Sequence, residues 1–284
     1  MKTADIKKRF DYALIIRADF LSIKELDLIK SVADQMISFH FDGMHRYPKI
    51  FRRIAHFDRF FVFDPEDAQK YAYNNVRFMP NCYFDYPESG GKGICPTPGY
   101  QLYYLGSFEA LRTKEILRLQ QYLAKMGFNH KIDLVFDQAN RRHITPELEA
   151  AVTCLTETIS FEAHQQRIER TNILLDFALD QHTGLSYRIF ESIKYEKKLI
   201  TTNVHVVNYD FYTPENIFIL NDNYSELYDF IETPYTALPS QIKKKYSFTS
   251  WIKNIFNDPP LEDINLIAPK KVSDKTIRVP AAKF

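Results

Sequence analysis

The chain alternates apolar runs of strand length with capped or amphipathic helical stretches, in two blocks, and this alternation most limits what it can fold into. Residues 12–16 form the first run, and Ser22 with Glu25 three positions later is a capping box that opens a helix to about residue 33. Residues 36–40 and 60–63 read as further strands, with a short helix over 48–56 between them. Asp64 before Pro65 supplies an N-cap and a proline at the first helical position, and Asp67 adds negative charge where the helix dipole favours it. Residues 81–98 are rich in Pro, Gly and Asp and read as a linker.

The alternation then restarts. Residues 101–105, 132–136, 173–175, 198–202 and 217–220 read as strands. Ile116, Leu119, Leu123 and Met126 fall at helical spacing, Thr145 and Pro146 cap a helix, and 162–170 and 186–195 read as helices. Strands separated by helices pair in parallel through crossovers, so the pattern predicts two α/β domains, residues 1–95 and 96–256, with the active site in the crevice between them. An amphipathic stretch at 250–256 precedes a Pro- and Lys-rich tail, 257–284, expected to be loosely held.

Lys and Arg (37) nearly balance Asp and Glu (36), so a net charge of +1 gives no general attraction to nucleic acid, and no such partner is expected. Cys82, Cys95 and Cys154 are an odd set without zinc or disulfide spacing, which suits a reducing, cytoplasmic setting. The first apolar run is short and broken by Arg17 and Asp19, unlike a secretory signal, and no run approaches the ~20 residues that span a bilayer.

Several chemistries find no motif. The glycines show no G-x-G-x-x-G fingerprint, and Gly90, Gly91 and Gly93 lack the Lys-Ser/Thr ending of a phosphate loop. Gly184 and Ser186 suggest a nucleophile elbow, but Arg188 stands where the second glycine would permit the sharp turn. Asp-x-Asp triplets and metal-ligating histidine pairs are absent, so no metal is expected.

Residues 159–176, 181–191 and 197–203 together resemble the donor half of bacterial lipopolysaccharide-core and capsular polysaccharide glycosyltransferases. Residues 210–217, 103–107 and 60–67 continue the likeness, which spans roughly residues 11–256. The resemblance implies a GT-B fold of two Rossmann-like domains, a nucleotide-sugar as co-substrate without a further cofactor, and a glycolipid or oligosaccharide acceptor. It also implies a place at the inner membrane as a peripheral protein. Enzymes of this kind carry a further strand and helix before the first strand seen here, so the first domain is expected to lack its opening β-α unit. The same resemblance allows a non-catalytic nucleotide-sugar-binding or scaffold relative.

The residues themselves suit an anionic donor. A helix opening near Ser186 points free N–H groups and a positive dipole end at a phosphate, and Gly184 permits close backbone approach. Thr183 and Ser186 offer hydroxyls, and Arg188 can neutralise the leaving nucleoside phosphate. Glu191 matches the acidic residue that binds ribose in the resembled enzymes. Gly106 and Ser107, and Thr202 and Asn203, follow strands and would face the same crevice. Each also has a plain structural alternative: an Arg188–Glu191 surface ion pair, an N-cap at Ser186, and strand-end turns elsewhere. For the base that deprotonates an acceptor hydroxyl, Asp19 and Asp42 stand just beyond the first and second strands. The basic, aromatic stretch 45–53 offers a grip for a phosphorylated lipid-sugar acceptor or the anionic membrane face, or is a solvated cationic face, and Lys243 to Lys245 carry the same alternatives.

Overall fold

The structure is a computed structural model that describes residues 9–71, 73–86, 99–179, 181–221 and 224–258. The first block comprises β1 (Phe10–Ile16), α1 (Ile23–Val32), β2 (Ala33–His40), β3 (Arg59–Val62), α2 (Pro65–Lys70) and β4 (Val76–Phe78). Its four strands pair in parallel in the order β1-β2-β3-β4, without a reversal. The capping box forms as expected. Ser22 Oγ accepts from the Glu25 N–H and the Glu25 carboxylate accepts from the Ser22 N–H. Asp64 likewise caps α2 by accepting from the Glu66 N–H.

The helix expected over 48–56 is instead two 3-10 turns, Pro48–Arg52 and Ile54–His56, separated at Arg53. They still bury Ile50 and Ile54 under the sheet. β4 escapes sequence detection because three residues centred on Arg77 carry no period.

The second block runs β5 (Leu102–Ser107), α3 (Ala110–Lys125), β6 (His130–Val135), α4 (Pro146–Ala151), β7 (Thr153–Leu155), α5 (Phe161–Glu169), β8 (Ile173–Asp176), α6 (Tyr187–Tyr195), β9 (Lys198–Thr201) and β10 (Ile217–Ile219). α7 (Leu227–Glu232), α8 (Ser240–Lys245) and α9 (Phe248–Phe256) follow. All six strands are parallel, in the order β10-β9-β8-β5-β6-β7. β5 and β8 are neighbours although two strands separate them in sequence. The winding direction therefore reverses between them, and the crevice beyond their carboxyl ends is a topological switch point. Separate apolar cores fill the two faces of this sheet.

α9 follows the second block in sequence but packs on the first sheet. Trp251 and Ile255 join Ile37, Phe39, Phe61 and Phe63, with the Trp251 ring 4.9 Å edge-on from Phe39 and its Nε1 donating to the Pro80 carbonyl. The buried Arg59 guanidinium donates to the Ile255 and Asn257 carbonyls at the end of α9 and to Gln35. A strap from the far end of the chain thus closes a sheet face that its own short block leaves bare. β1 remains an edge strand, with Phe10, Tyr12 and Ile16 exposed. Among the described residues, no helix is long and apolar enough to cross a membrane. Trp251→Ala empties the centre of this packing and is expected to cost about 3–5 kcal/mol of stability, read from denaturant unfolding.

Candidate functional site

At the switch point, Asp176 ends β8 and is 2% exposed. Its carboxylate accepts from Ser186 Oγ and from Thr201 Oγ1, each at 2.7 Å, and Arg188 Nη1 lies 3.8 Å away. Ser186 occupies the N-cap position of α6 but spends its hydroxyl on Asp176 rather than on the helix N–H groups. Arg188 also donates to the Leu105 carbonyl on β5, and its guanidinium lies 4.6 Å over the Tyr104 ring. The cation thus sits at the carboxyl end of β5, where the two halves of the sheet diverge. A Cβ at Gly106 would collide with the Tyr104 hydroxyl, so glycine there preserves the ring's position; Ser107 is exposed at the strand end.

Arg188 and Glu191 do not pair with each other. Glu191 lies 3.3 Å from Nε2 of His164 on α5, and His164 Nδ1 is 3.4 Å from the Tyr103 hydroxyl. The arginine faces the crevice crest while the glutamate faces α5.

The loop before α6 is built into the contact between the two blocks. Thr183 donates its N–H (3.0 Å) and its hydroxyl (2.6 Å) to the buried Asp64 carboxylate. Gly184 meets Phe63 so closely that a Cβ would lie 2.5 Å from the ring, so close approach here serves domain packing. Asn203 donates to the Gly184 carbonyl and Asn81 to the Leu185 carbonyl. Asn203 also caps the 3-10 turn Val204–Asn208, and Thr202 Oγ1 accepts from the Ala178 N–H. Both residues therefore act as strand-end turn formers beside the crevice.

Across the crevice, Arg17 adopts a left-handed conformation (φ 61°), a strained choice for a non-glycine residue that its partners enforce. Its guanidinium grips Asp19 through both oxygens (2.7 and 2.9 Å), bonds Asp42, and lies 3.9 Å over Tyr47. Arg46 bridges the blocks, 3.4 Å from Asp42 and 3.1 Å from Glu109 at the start of α3. Burial lifts Asp42 above the usual carboxylate range despite Arg17 and Arg46. For Asp19 burial acts in the same sense, but the hydrogen bond and charge of Arg17 outweigh it and hold the group low. Of the two proposed bases, Asp42 is therefore the more basic.

The fold gathers Gly184, Ser186 and Arg188 at one end of the crevice, with Thr183 turned into the domain contact, and brings Asp19 and Asp42 together around Arg17. Sequence reasoning missed Arg17, Tyr104 and Asp176 as parts of the site, took Arg46 only as one of the basic residues of 45–53, and read Asp64 only as a helix cap. Asp176 carried one usable signal, its place at the end of a strand, but which strand ends face the crevice depends on sheet order. The glycines at 90, 91 and 93, Cys95 and the tail beyond residue 258 lie outside the described residues.

No protein-family model matches this sequence, and no curated protein matches it. Solved structures do resemble it. TarM aligns with a TM-score of 0.51 at 12% identity, over 87% of this chain and 54% of that one. The lipopolysaccharide outer core galactosyltransferase WaaB aligns at 0.47 and 15% identity, over 86% and 73%. The GtfA/B complex aligns at 0.47 and 11% identity, over 88% of this chain and 57% of that one. The chain thus spans just over half the length of TarM and of the GtfA/B chain. At these identities the likeness is one of fold. The chain has the α/β fold of two Rossmann-like domains found in GT-B glycosyltransferases.

His40 on β2 is fully buried against Phe60 and Tyr47, its Nδ1 3.8 Å from Asp19, and burial followed by the nearby Arg17 charge pushes its pKa down to about 4. An unfolded histidine titrates near 6.5, so between these values the unfolded chain binds the extra proton and the folded chain does not. Stability is therefore expected to fall by about 3 kcal/mol as pH drops from about 6.5 to 4. His40→Leu should remove most of that slope in denaturant titrations at stepped pH. Burial also lowers His182, which supplies a remainder.

Proposed function

We propose that the protein is a glycosyltransferase that moves a sugar from a nucleotide-sugar to a lipopolysaccharide or capsular polysaccharide precursor. The observation that carries the reading is the placement of Arg188. A guanidinium at the carboxyl end of β5, beside the start of a nine-residue helix at the switch point, suits the diphosphate or phosphate of a leaving nucleotide. Glu191 would take the ribose hydroxyls, Gly106 and Ser107 would border the phosphate, and Thr202 and Asn203 would frame the crevice floor. Transfer on this reading uses no metal, because Arg188 and the helix start meet the leaving charge. Asp42, lifted by burial, is the preferred base for the acceptor hydroxyl, with Asp19 holding Arg17.

The reading places the protein in the cytoplasm, in peripheral contact with the inner membrane. Its support is Phe20, 77% exposed, on a turn that packs against the one carrying the exposed cations Lys49 and Arg52. Lys243 and Lys245 contribute less, since each is paired with a carboxylate, Glu196 and Asp210.

A second reading, a non-catalytic nucleotide-sugar-binding scaffold, draws on the engagement of both Asp19 and Asp42 by arginines. Calorimetry against UDP, CMP, GDP and dTDP, followed by transfer assays with glycolipid acceptors, separates the two. Both readings expect one nucleotide to bind, and Arg188→Ala to weaken it about tenfold or more. Only the first expects transfer. Absence of binding to all four nucleotides sinks both.

A further inference from the structure

Thr183 lies in the loop that opens the proposed donor site, yet its N–H and hydroxyl both point into the other domain, onto Asp64. The contact is buried on both sides, with Asp64 2% and Thr183 8% exposed. One carboxylate oxygen accepts from the Thr183 N–H; the other accepts from the Thr183 hydroxyl and from the Glu66 N–H that caps α2. A backbone N–H and a hydroxyl converging on two oxygens of an anion is also how such a loop would hold a phosphate. Phe63, next to Asp64, closes over Gly184 and lies edge-on to the His182 ring at 5.0 Å, so the adjoining residues seal the same loop.

We propose that Asp64 is an internal anion that latches the 182–186 loop against the first domain, and that a nucleotide phosphate must displace it to engage Thr183. This rests on the donor-site reading above. The free protein would then hold most of its molecules in a latched form, and its apparent affinity for nucleotide would be reduced by the fraction that is unlatched. Two anions cannot share one pair of donors, so the exchange is competitive. The device makes donor entry and domain separation a single event.

Asp64→Ser tests this with the fold preserved. Serine still caps α2 but is too short to reach Thr183 across the contact. Nucleotide binding by calorimetry, with UDP, CMP, GDP and dTDP as probes, is compared between the parent and D64S, together with amide exchange at Thr183. The expected result is nucleotide affinity about tenfold or more higher in D64S, with faster exchange at Thr183. Equal or weaker affinity in D64S overturns the latch as a competitor of nucleotide. If neither protein binds any nucleotide, the donor reading fails and the latch falls with it, whereas binding of equal strength in the two proteins overturns the latch alone and leaves the donor reading standing.

Discussion

The contact of Gly184 with Phe63 constrains the whole molecule, because it sets how closely the two parallel sheets approach. A Cβ at that position would sit 2.5 Å from the ring, well inside van der Waals contact, so any larger residue must displace the Phe63 ring or the loop itself. Around this point the polar groups of the loop are satisfied from both sides. Asp64 and Asn81 reach it from the first block, and Asn203 from the second. Buried polar groups left without partners are costly, so this set of bonds fixes the loop's position as firmly as the packing does.

The same closeness governs the crevice electrostatics. On the first-block side Arg17 and Arg46 are met by Asp19, Asp42 and Glu109, so a stretch that is basic in sequence is neutralised where it faces the second block. On the second-block side Arg188 lies 3.8 Å from Asp176, donates to the Leu105 carbonyl and covers the Tyr104 ring. α9 completes the arrangement from outside. By strapping the second block's chain onto the first sheet, with Arg59 closing its last turn, it ties the two blocks together a second time, through a cluster that includes Phe63 itself.

Local interactions made much of the fold legible in the sequence. The Ser22–Glu25 capping box, the Asp64–Pro65 helix start, the Ile116, Leu119 and Leu123 stripe and the apolar strand runs all act within a few residues. Periodicity and capping chemistry capture them. The failures were also local in kind. β4 and β7, three residues each, are too short to show a period, and the 48–56 segment buries the same side chains from 3-10 turns as it would from a helix.

For the candidate site, the sequence by itself determined residue chemistry: a glycine, two hydroxyls, a cation and a carboxylate within nine positions. Tertiary structure alone decided how each is used. Thr183 meets Asp64 across 119 positions, Arg188 meets Leu105 across 83, and Glu191 turns to His164 rather than to its helical neighbour. Sequence spacing predicts partners when the backbone between two residues is a regular element. Once the chain leaves that element, strand order and domain packing choose the partner, and these depend on burying apolar faces of the whole chain at once.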